Sequence, residues 1–225
     1  MAVELAKREN AKLHVLHITT EEELGLFEAG HSRITAEACV HHLWFEDQSY
    51  TTLGSLIKCN PAIKKESDRD AIRGAVNDGR ISILATDHAP HTWEEKQGTY
   101  FNAPSGLPLI QHTLLLMLEM CEQNCFSPEL IAERACHAPA RLFQVEERGY
   151  LREGYWADMV VVDPTGKTQV KDSQLFSKCG WSPFSQMTFT NSIETTIVSG
   201  KIAYHQGALN LDCRGLRAEF SKERR

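Results

Sequence analysis

Short apolar runs alternate with amphipathic segments over the first part of the chain. Three runs have the apolar and β-branched character of strands: Leu13–Ile18, Arg33–Val40 and Ile81–Thr86. Between the last two, residues 67–78 form a helical pattern with Ser67 as the expected capping residue. Because strands that alternate with helices are typical of a parallel sheet, the pattern predicts an α/β fold.

Three further segments have helical patterns, and the character of the sequence changes after them. They are residues 2–9, 107–122 and 127–135. After Phe143, short apolar runs such as Asp158–Asp163 and Ile193–Val198 are separated by glycines, which is typical of strands joined by turns. We therefore expect a boundary near residue 145.

Composition narrows the class of protein. With 225 residues, 42% of them hydrophobic and 24% charged, the chain has the composition of an ordinary globular protein. A net charge of -6 without a basic stripe argues against nucleic acid as a partner. The sequence has no apolar run of about 20 residues and no signal-peptide pattern, so we expect a cytoplasmic protein without a membrane partner. The seven cysteines include no C-x-x-C pair and are expected to be reduced.

The segment Ala85–His91, with the sequence ATDHAPH, has the strongest chemical signal. An apolar strand ends there in a carboxylate, Asp87, and in two imidazoles. Side chains at the carboxyl ends of parallel strands line the face where barrel enzymes bind metals and substrates. A turn cap would explain an isolated Thr-Asp-His equally well. The complete heptapeptide, together with the downstream Ala103–Gly106 (APSG), favours a functional site.

Five segments resemble dihydroorotases of the amidohydrolase superfamily, in the carboxy-terminal half of those proteins. They are LHVLHIT at 13–19, ITAEACVHHLWF at 34–45, KCNPAIK at 58–64, DGRISILATDHAPHTWEEKQGTYFNAPSG at 78–106 and GYLREGYWADMVVVD at 149–163. The resemblance implies part of a (β/α)8 barrel, about strands 6 to 8, plus part of a small β-sandwich. The corresponding divisions are residues 1–145 for the barrel part, 146–210 for the sandwich part and 211–225 for a charged tail.

The resemblance also implies a reaction and a set of site residues. The reaction is hydrolysis of the cyclic amide of dihydroorotate, or cyclisation of N-carbamoyl-L-aspartate, in pyrimidine synthesis, with one or two Zn²⁺ ions. His17 and Asp87 match metal ligands, and Asp87 also matches the acid-base catalyst. Asn60, His91 and the backbone around Gly106 match the groups that hold the substrate ring.

The remaining histidines near these segments are expected to be structural. His14 lies three residues before His17 and should point to the other side of the strand, outside the barrel. His41 and His42 are expected to be hydrogen-bonded structural residues rather than metal ligands. His88 is expected to orient the loop that follows Asp87.

Several parts of the family's site are absent from this sequence. No H-x-H pair occurs anywhere in it, and Met1 lies in the helix that would precede strand 6. We expect a fragment, a truncated gene product or one half of a split barrel, which needs its amino-terminal half or a homo-oligomer partner. A hydantoinase, an allantoinase or a non-catalytic scaffold subunit are the alternatives.

Overall fold

The computed structural model describes residues 1–221, and the last four residues of the predicted charged tail lie outside them. The helices are α1 (Ala2–Arg8), α2 (Val40–Trp44), α3 (Tyr50–Leu53), α4 (Glu66–Asp78), α5 (Trp93–Lys96), α6 (Thr113–Glu122), α7 (Pro128–Ala132) and α8 (Ala138–Leu142). The strands are β1 (Leu13–Val15), β2 (Ile34–Cys39), β3 (Ile83–Ala85), β4 (Met159–Asp163), β5 (Thr168–Gln169), β6 (Thr188–Phe189), β7 (Ser192–Val198), β8 (Lys201–His205) and β9 (Ala208–Leu209). No helix in this part of the chain is long and apolar enough to cross a membrane.

The described residues form two units that are discontinuous in sequence. Unit 1 comprises residues 1–117 and 169–187, and unit 2 comprises residues 118–168 and 188–221. One division between the units falls inside α6. The boundary expected near residue 145 comes from the change in sequence pattern after Phe143, and it stays a prediction.

Unit 1 is built on a parallel sheet of order β1-β2-β3, which confirms the predicted α/β class. Ile34, Ala36 and Ala38 of β2 alternate with half-buried residues and are at most 4% exposed, because successive side chains of a strand point to opposite faces. Helix α1 contacts β2, and α4 packs against α2. The strands thus bury one apolar face and leave a more polar face opposite.

His14 lies on the polar face of this sheet. Its Nδ1 is 2.8 Å from the Thr35 hydroxyl, and its Nε2 is 3.0 Å from a carboxylate oxygen of Glu37. These two neighbours alternate with the buried residues of β2. A polar partner on the adjacent strand thus satisfies each ring nitrogen, and the expectation that His14 points outside the barrel stays a prediction.

Helix α4 follows the predicted pattern except at its start. It buries Ile72, Ala75 and Val76, which are spaced as one face of a helix. The helix begins at Glu66 after Lys65, and no side chain caps it, so the prediction of Ser67 as the cap was wrong.

The helix predicted over residues 107–122 begins six residues late, at Thr113. Leu107 forms a parallel bridge with His88, and its carbonyl accepts from the Ala89 N–H at 3.1 Å. Pro108 follows directly and disfavours helix at the residue before it. The apolar character of this segment therefore reflects the burial of Leu107 and Leu109 in a non-helical stretch that precedes the helix.

Residues 169–187, here called the return segment, bring the chain back to unit 1. The Gln111 side chain donates to the carbonyl of Gln174 at 3.0 Å and accepts from the Phe176 N–H at 2.8 Å. Phe184 is 2% exposed and stacks on Phe45 with ring centroids 5.6 Å apart. The return segment is thus an integral part of the core of unit 1.

Unit 2 contains an antiparallel sheet of order β4-β7-β8-β9, in agreement with the short strands expected after residue 145. Its helical part runs on past the predicted end at Ala135. A π-helical turn, Glu133–His137, joins α7 to α8, because Pro139 has no N–H with which to bond the carbonyl of Ala135.

Candidate active site

His17 and Asp87 both follow strands of the parallel sheet at its carboxyl edge. His17 comes two residues after β1 with φ 39°, and Asp87 comes two residues after β3 with φ 46°. Left-handed backbone at a residue other than glycine is uncommon and costs roughly 1–3 kcal/mol. Backbone of this kind occurs at active sites, where the surrounding structure maintains it, and the strand-end position of both residues adds to that reading.

The side chains of His17, Asp87 and Asn60 have no hydrogen-bond partner within residues 1–221. Asp87 and Asn60 are exposed, and His17 is half-buried. Because β2 separates β1 from β3, the backbones of His17 and Asp87 stand about two strand spacings apart, roughly 10 Å. An imidazole and a carboxylate without other partners fit two ligands of a metal ion in an incomplete coordination shell.

The middle strand of the sheet ends in a different set of donors. Among the described residues, Cys39, His41 and His42 are the group of three whose possible ligand atoms lie within 4.8 Å of one another. They are 0%, 0% and 3% exposed. His17 and Asp87 do not belong to this group, so the structure does not bring the predicted metal ligands together with a third donor.

The prediction of hydrogen-bonded structural histidines is right for one residue and wrong for the other. His42 donates from Nε2 to the Pro61 carbonyl at 2.9 Å. His41 has no partner for either ring nitrogen. Burial and the neighbouring His42 hold the pKa of His41 well below its usual value, and burial lowers the pKa of His42 to about 4. Both rings are therefore neutral near pH 7.

The segment His91–Gly106, here called the site loop, follows Asp87 and is tied together internally. His91 donates from Nε2 to the Ser105 carbonyl at 3.1 Å, and its Nδ1 lies 3.4 Å from a carboxylate oxygen of Glu95. The carbonyl of His91 accepts from Trp181 Nε1 of the return segment at 2.7 Å. Both ring nitrogens of this predicted substrate-binding residue thus have partners within the protein.

His88 contacts the chain directly after the site loop. Its Nδ1 accepts from the backbone N–H groups of Leu109 and Ile110, at 2.9 and 3.2 Å. These bonds agree with the expectation that His88 orients the loop instead of facing a ligand.

Gly106 is the position of the site loop where a side chain has no room. Its φ is 137°, and a Cβ added there would lie 2.3 Å from the Ala89 carbonyl oxygen. Its N–H donates to the Lys58 carbonyl at 2.9 Å, and its own carbonyl accepts from Lys96 at 3.0 Å. Glycine is therefore required by a close backbone approach.

Lys96 is a functional candidate that the sequence did not reveal. The residue is 0% exposed, and its Nζ donates to the carbonyls of Lys58, Pro104 and Gly106 at 3.3, 3.0 and 3.0 Å. Burial lowers its pKa to about 8. A buried ammonium group in contact with three carbonyls fixes the site loop against the segment that carries Asn60.

A weak signal for this arrangement was present in the sequence. Thr92 and Glu95 form a capping box: the Thr92 hydroxyl accepts from the Glu95 N–H, and the Glu95 carboxylate accepts from the Thr92 N–H. The box fixes α5 and places Lys96 at its last position. The carbonyls that Lys96 contacts lie 8, 10 and 38 residues away, beyond the helix itself, so its burial could not be inferred from the local pattern.

Two cavities lie elsewhere in the described residues. A cavity of about 610 Å³ is lined by residues that include Arg141, Tyr150 and Arg152, and another of about 370 Å³ by residues that include Trp156 and Gly200. Both linings consist of unit 2 residues. The candidate chemistry of unit 1 lies at an open strand edge and not in either cavity.

Comparison with known proteins agrees with this arrangement. The sequence pattern of the amidohydrolase family matches residues 4–203. A dihydroorotase of Halobacterium salinarum is 35% identical over 81% of this chain and 43% of its own length. One of Clostridium acetobutylicum is 34% identical over 89% of this chain and 48% of its own length.

Comparison with solved structures also finds a similar fold. The L-hydantoinase (dihydropyrimidinase) of Arthrobacter aurescens has a TM-score of 0.88 at 25% identity, covering 93% of this chain and 48% of that one. The chain spans about half the length of the curated relatives that it matches. The match to the family pattern over most of the sequence confirms the resemblance: the chain belongs to the amidohydrolase family.

Proposed function

We propose that this chain carries the carboxy-terminal part of a dihydroorotase, which hydrolyses the cyclic amide of dihydroorotate or forms it from N-carbamoyl-L-aspartate. The observation that carries the proposal is the placement of His17 and Asp87, both on left-handed backbone and both without a hydrogen-bond partner in the described residues. Similarity to curated dihydroorotases supports this substrate class.

In this proposal the parallel sheet forms strands 6 to 8 of a (β/α)8 barrel. Residues 1–145 belong to the barrel, residues 146–210 to a small β-sandwich and residues 211–225 to a tail. The parallel order β1-β2-β3 and the TM-score of 0.88 with a hydantoinase support the barrel assignment. The remaining strands would come from an amino-terminal half or from a second copy of the chain, in the cytoplasm.

Asp87 is the proposed acid-base catalyst. In the hydrolytic direction it accepts a proton from the attacking water as the water oxygen bonds to the amide carbon. It then gives the proton to the ring nitrogen as the carbon–nitrogen bond breaks. Such catalysis typically contributes about 10²–10⁴-fold. A Zn²⁺ ion held by His17 and Asp87 with ligands from the other half would polarise the carbonyl and make water acidic.

Asn60, His91 and the backbone around Gly106 are the proposed substrate-binding groups. Asn60 is exposed and offers an amide donor and acceptor suited to a planar ring with polar edges. His91 and Gly106 are held by protein groups, and they contribute by shaping the site loop. Lys58, two residues before Asn60, is bonded to Gly106 directly and through Lys96.

The test compares the 225-residue chain alone with the chain joined to its amino-terminal half, both supplied with Zn²⁺. We expect turnover of dihydroorotate from the joined protein and none from the chain alone, because two ligands cannot replace a full coordination shell. Turnover by the purified chain alone, or no turnover by a folded, metal-loaded joined protein, would contradict the proposal.

A hydantoinase is the second candidate, favoured by the structural likeness to the Arthrobacter aurescens protein. The same assay distinguishes the two, with hydantoin and allantoin as competing substrates. A kcat/KM higher for hydantoin than for dihydroorotate would reassign the substrate and leave the proposed role of Asp87 in place.

A further inference from the structure

At the carboxyl end of β2, a thiol and two imidazoles lie close together and are buried from solvent. Cys39, His41 and His42 are each at most 3% exposed, and their possible ligand atoms lie within 4.8 Å of one another. A metal ion with bonds of about 2.0–2.3 Å needs ligand atoms roughly 3.5 Å apart. The cluster is therefore within small side-chain rotations of a coordination sphere.

Three ring nitrogens of this cluster have no hydrogen-bond partner within residues 1–221. His41 is fully buried, and neither of its ring nitrogens has a hydrogen-bond partner. His42 donates through Nε2 to Pro61, so its Nδ1 carries the lone pair, and that atom also lacks a partner. Buried polar atoms are nearly always satisfied in native proteins, and each exception calls for an explanation.

We propose that Cys39, His41 and His42 form a binding site for a soft monovalent metal ion, Cu⁺, with donors other than His17 and Asp87, the predicted ligands of the amidohydrolase metal. A thiolate ligand selects soft ions such as Cu⁺, and imidazoles suit copper as well. Charge favours Cu⁺ over Zn²⁺. A thiolate and Cu⁺ sum to zero, whereas a thiolate and Zn²⁺ leave a positive charge that only the carboxylates of Glu37 and Asp87, outside the cluster, can offset. On binding, the Cys39 thiol loses its proton to water as the sulfur–metal bond forms.

The donors expected for the family's metal differ in kind. His17 and Asp87 are an imidazole and an exposed carboxylate, which suit Zn²⁺ with open positions. Cys59 is also near the buried cluster, with its Sγ 3.7 Å from His42 Nε2. That nitrogen donates to Pro61, and the Cys59 thiol donates to the same carbonyl at 3.1 Å, so Cys59 is a neighbour and not a ligand.

The experiment titrates the full chain anaerobically with Cu⁺ held by a calibrated chelator. We expect one ion per chain, with two nitrogen donors and one sulfur donor in X-ray absorption. Cys39→Ala should weaken binding by about 100-fold or more, since loss of even an indirect support of a metal ligand costs 10–100-fold. Cys39→Ser, which keeps the side-chain size, should weaken Cu⁺ binding by a similar factor. Circular dichroism verifies that both variants fold.

Two matched variants separate this site from other sources of binding. Cys121→Ala removes a half-buried thiol of unit 2, and His17→Ala removes the predicted ligand of the catalytic metal. Both should leave Cu⁺ binding unchanged. The proposal is overturned if folded Cys39→Ala binds as the parent does, if His17→Ala abolishes binding, or if the same residues prefer Zn²⁺. None of these readouts depends on turnover.

Discussion

Two groups of residues near the carboxyl edge of the parallel sheet differ in how their polar side chains are satisfied. His17, Asp87 and Asn60 have no hydrogen-bond partner within residues 1–221. In the site loop, by contrast, His91 and Lys96 have a protein partner for each nitrogen. The difference indicates two roles, since polar groups without a protein partner are available to a ligand and satisfied ones stabilise a conformation.

This comparison can be tested because the two groups should respond differently to substitution. Replacing a polar side chain that has no protein partner should change activity with little effect on folding stability. Replacing a satisfied one should lower stability, and activity only as a consequence. The following predictions use the chain joined to its amino-terminal half wherever activity is measured.

Asp87→Asn should have the largest effect, a loss of at least about 10²–10⁴-fold in kcat. Asparagine keeps the size of the side chain but cannot accept and return a proton. Asp47→Asn, at an exposed carboxylate outside the site, is the matched control and should keep full activity. Metal content is measured with the rate. A metal-loaded Asp87→Asn enzyme within about ten-fold of the parent would exclude Asp87 as the proton carrier.

Asn60→Ala should lower kcat/KM by roughly ten- to a hundred-fold, the effect of losing a hydrogen bond to a charged group. His91→Ala should lower kcat/KM only as a consequence of a destabilised site loop. Thermal unfolding should separate the two variants. Asn60→Ala should melt like the parent, as should the exposed control Asn102→Ala. His91→Ala should melt at a lower temperature, because its bond to Ser105 is lost. Equal melting temperatures for both variants would contradict the distinction drawn here.

Gly106→Ala should destabilise the protein by more than the 1–3 kcal/mol that left-handed backbone costs by itself. The added Cβ meets the Ala89 carbonyl oxygen at 2.3 Å. Gly30→Ala is the matched control, since Gly30 has φ 73° with no atom within 4 Å of the added Cβ. Urea unfolding gives the free energy of unfolding of both variants. The difference between their losses measures the cost of the close contact, because both glycines have positive φ. Equal losses would show that the contact is relieved at no cost.

Lys96→Met should change how stability depends on pH. Burial lowers the pKa of Lys96 from 10.5 to about 8. Between these values the unfolded chain holds a proton that the folded chain has released, so the free energy of unfolding rises with pH, by at most about 1.4 kcal/mol per unit. Lys96→Met should remove that rise, and the exposed control Lys12→Met should retain it. Parallel pH profiles for parent and Lys96→Met would contradict the lowered pKa.

The sequence predicted those features that depend on local pattern. The β2 strand was identified because Ile34, Ala36 and Ala38 alternate with polar residues, and α4 because its apolar residues have helical spacing. The positions of His17 and Asp87 at strand ends followed in the same way. Their roles came from the resemblance and stay predictions.

Features that depend on distant contacts were missed. The start of α6 was wrong because the bridge between Leu107 and His88 cannot be seen in the local sequence. The burial of Lys96 depends on three carbonyls from two segments, that of Lys58 and those of Pro104 and Gly106 in the site loop. The missing partners of His41 could not be foreseen either, because the sequence does not tell which nitrogens lie in contact with carbonyls.

The return segment has a practical consequence for any attempt to divide this protein. The first part of unit 1 ends at Met117, 64 residues before Trp181. The Trp181 indole nevertheless donates a hydrogen bond to the carbonyl of His91. A gene fragment that stops at residue 145 would encode most of unit 1 but would lack Trp181 and Phe184 from its core. Expression trials and proteolytic trimming should therefore keep residues 169–187, even where only the parallel sheet is wanted.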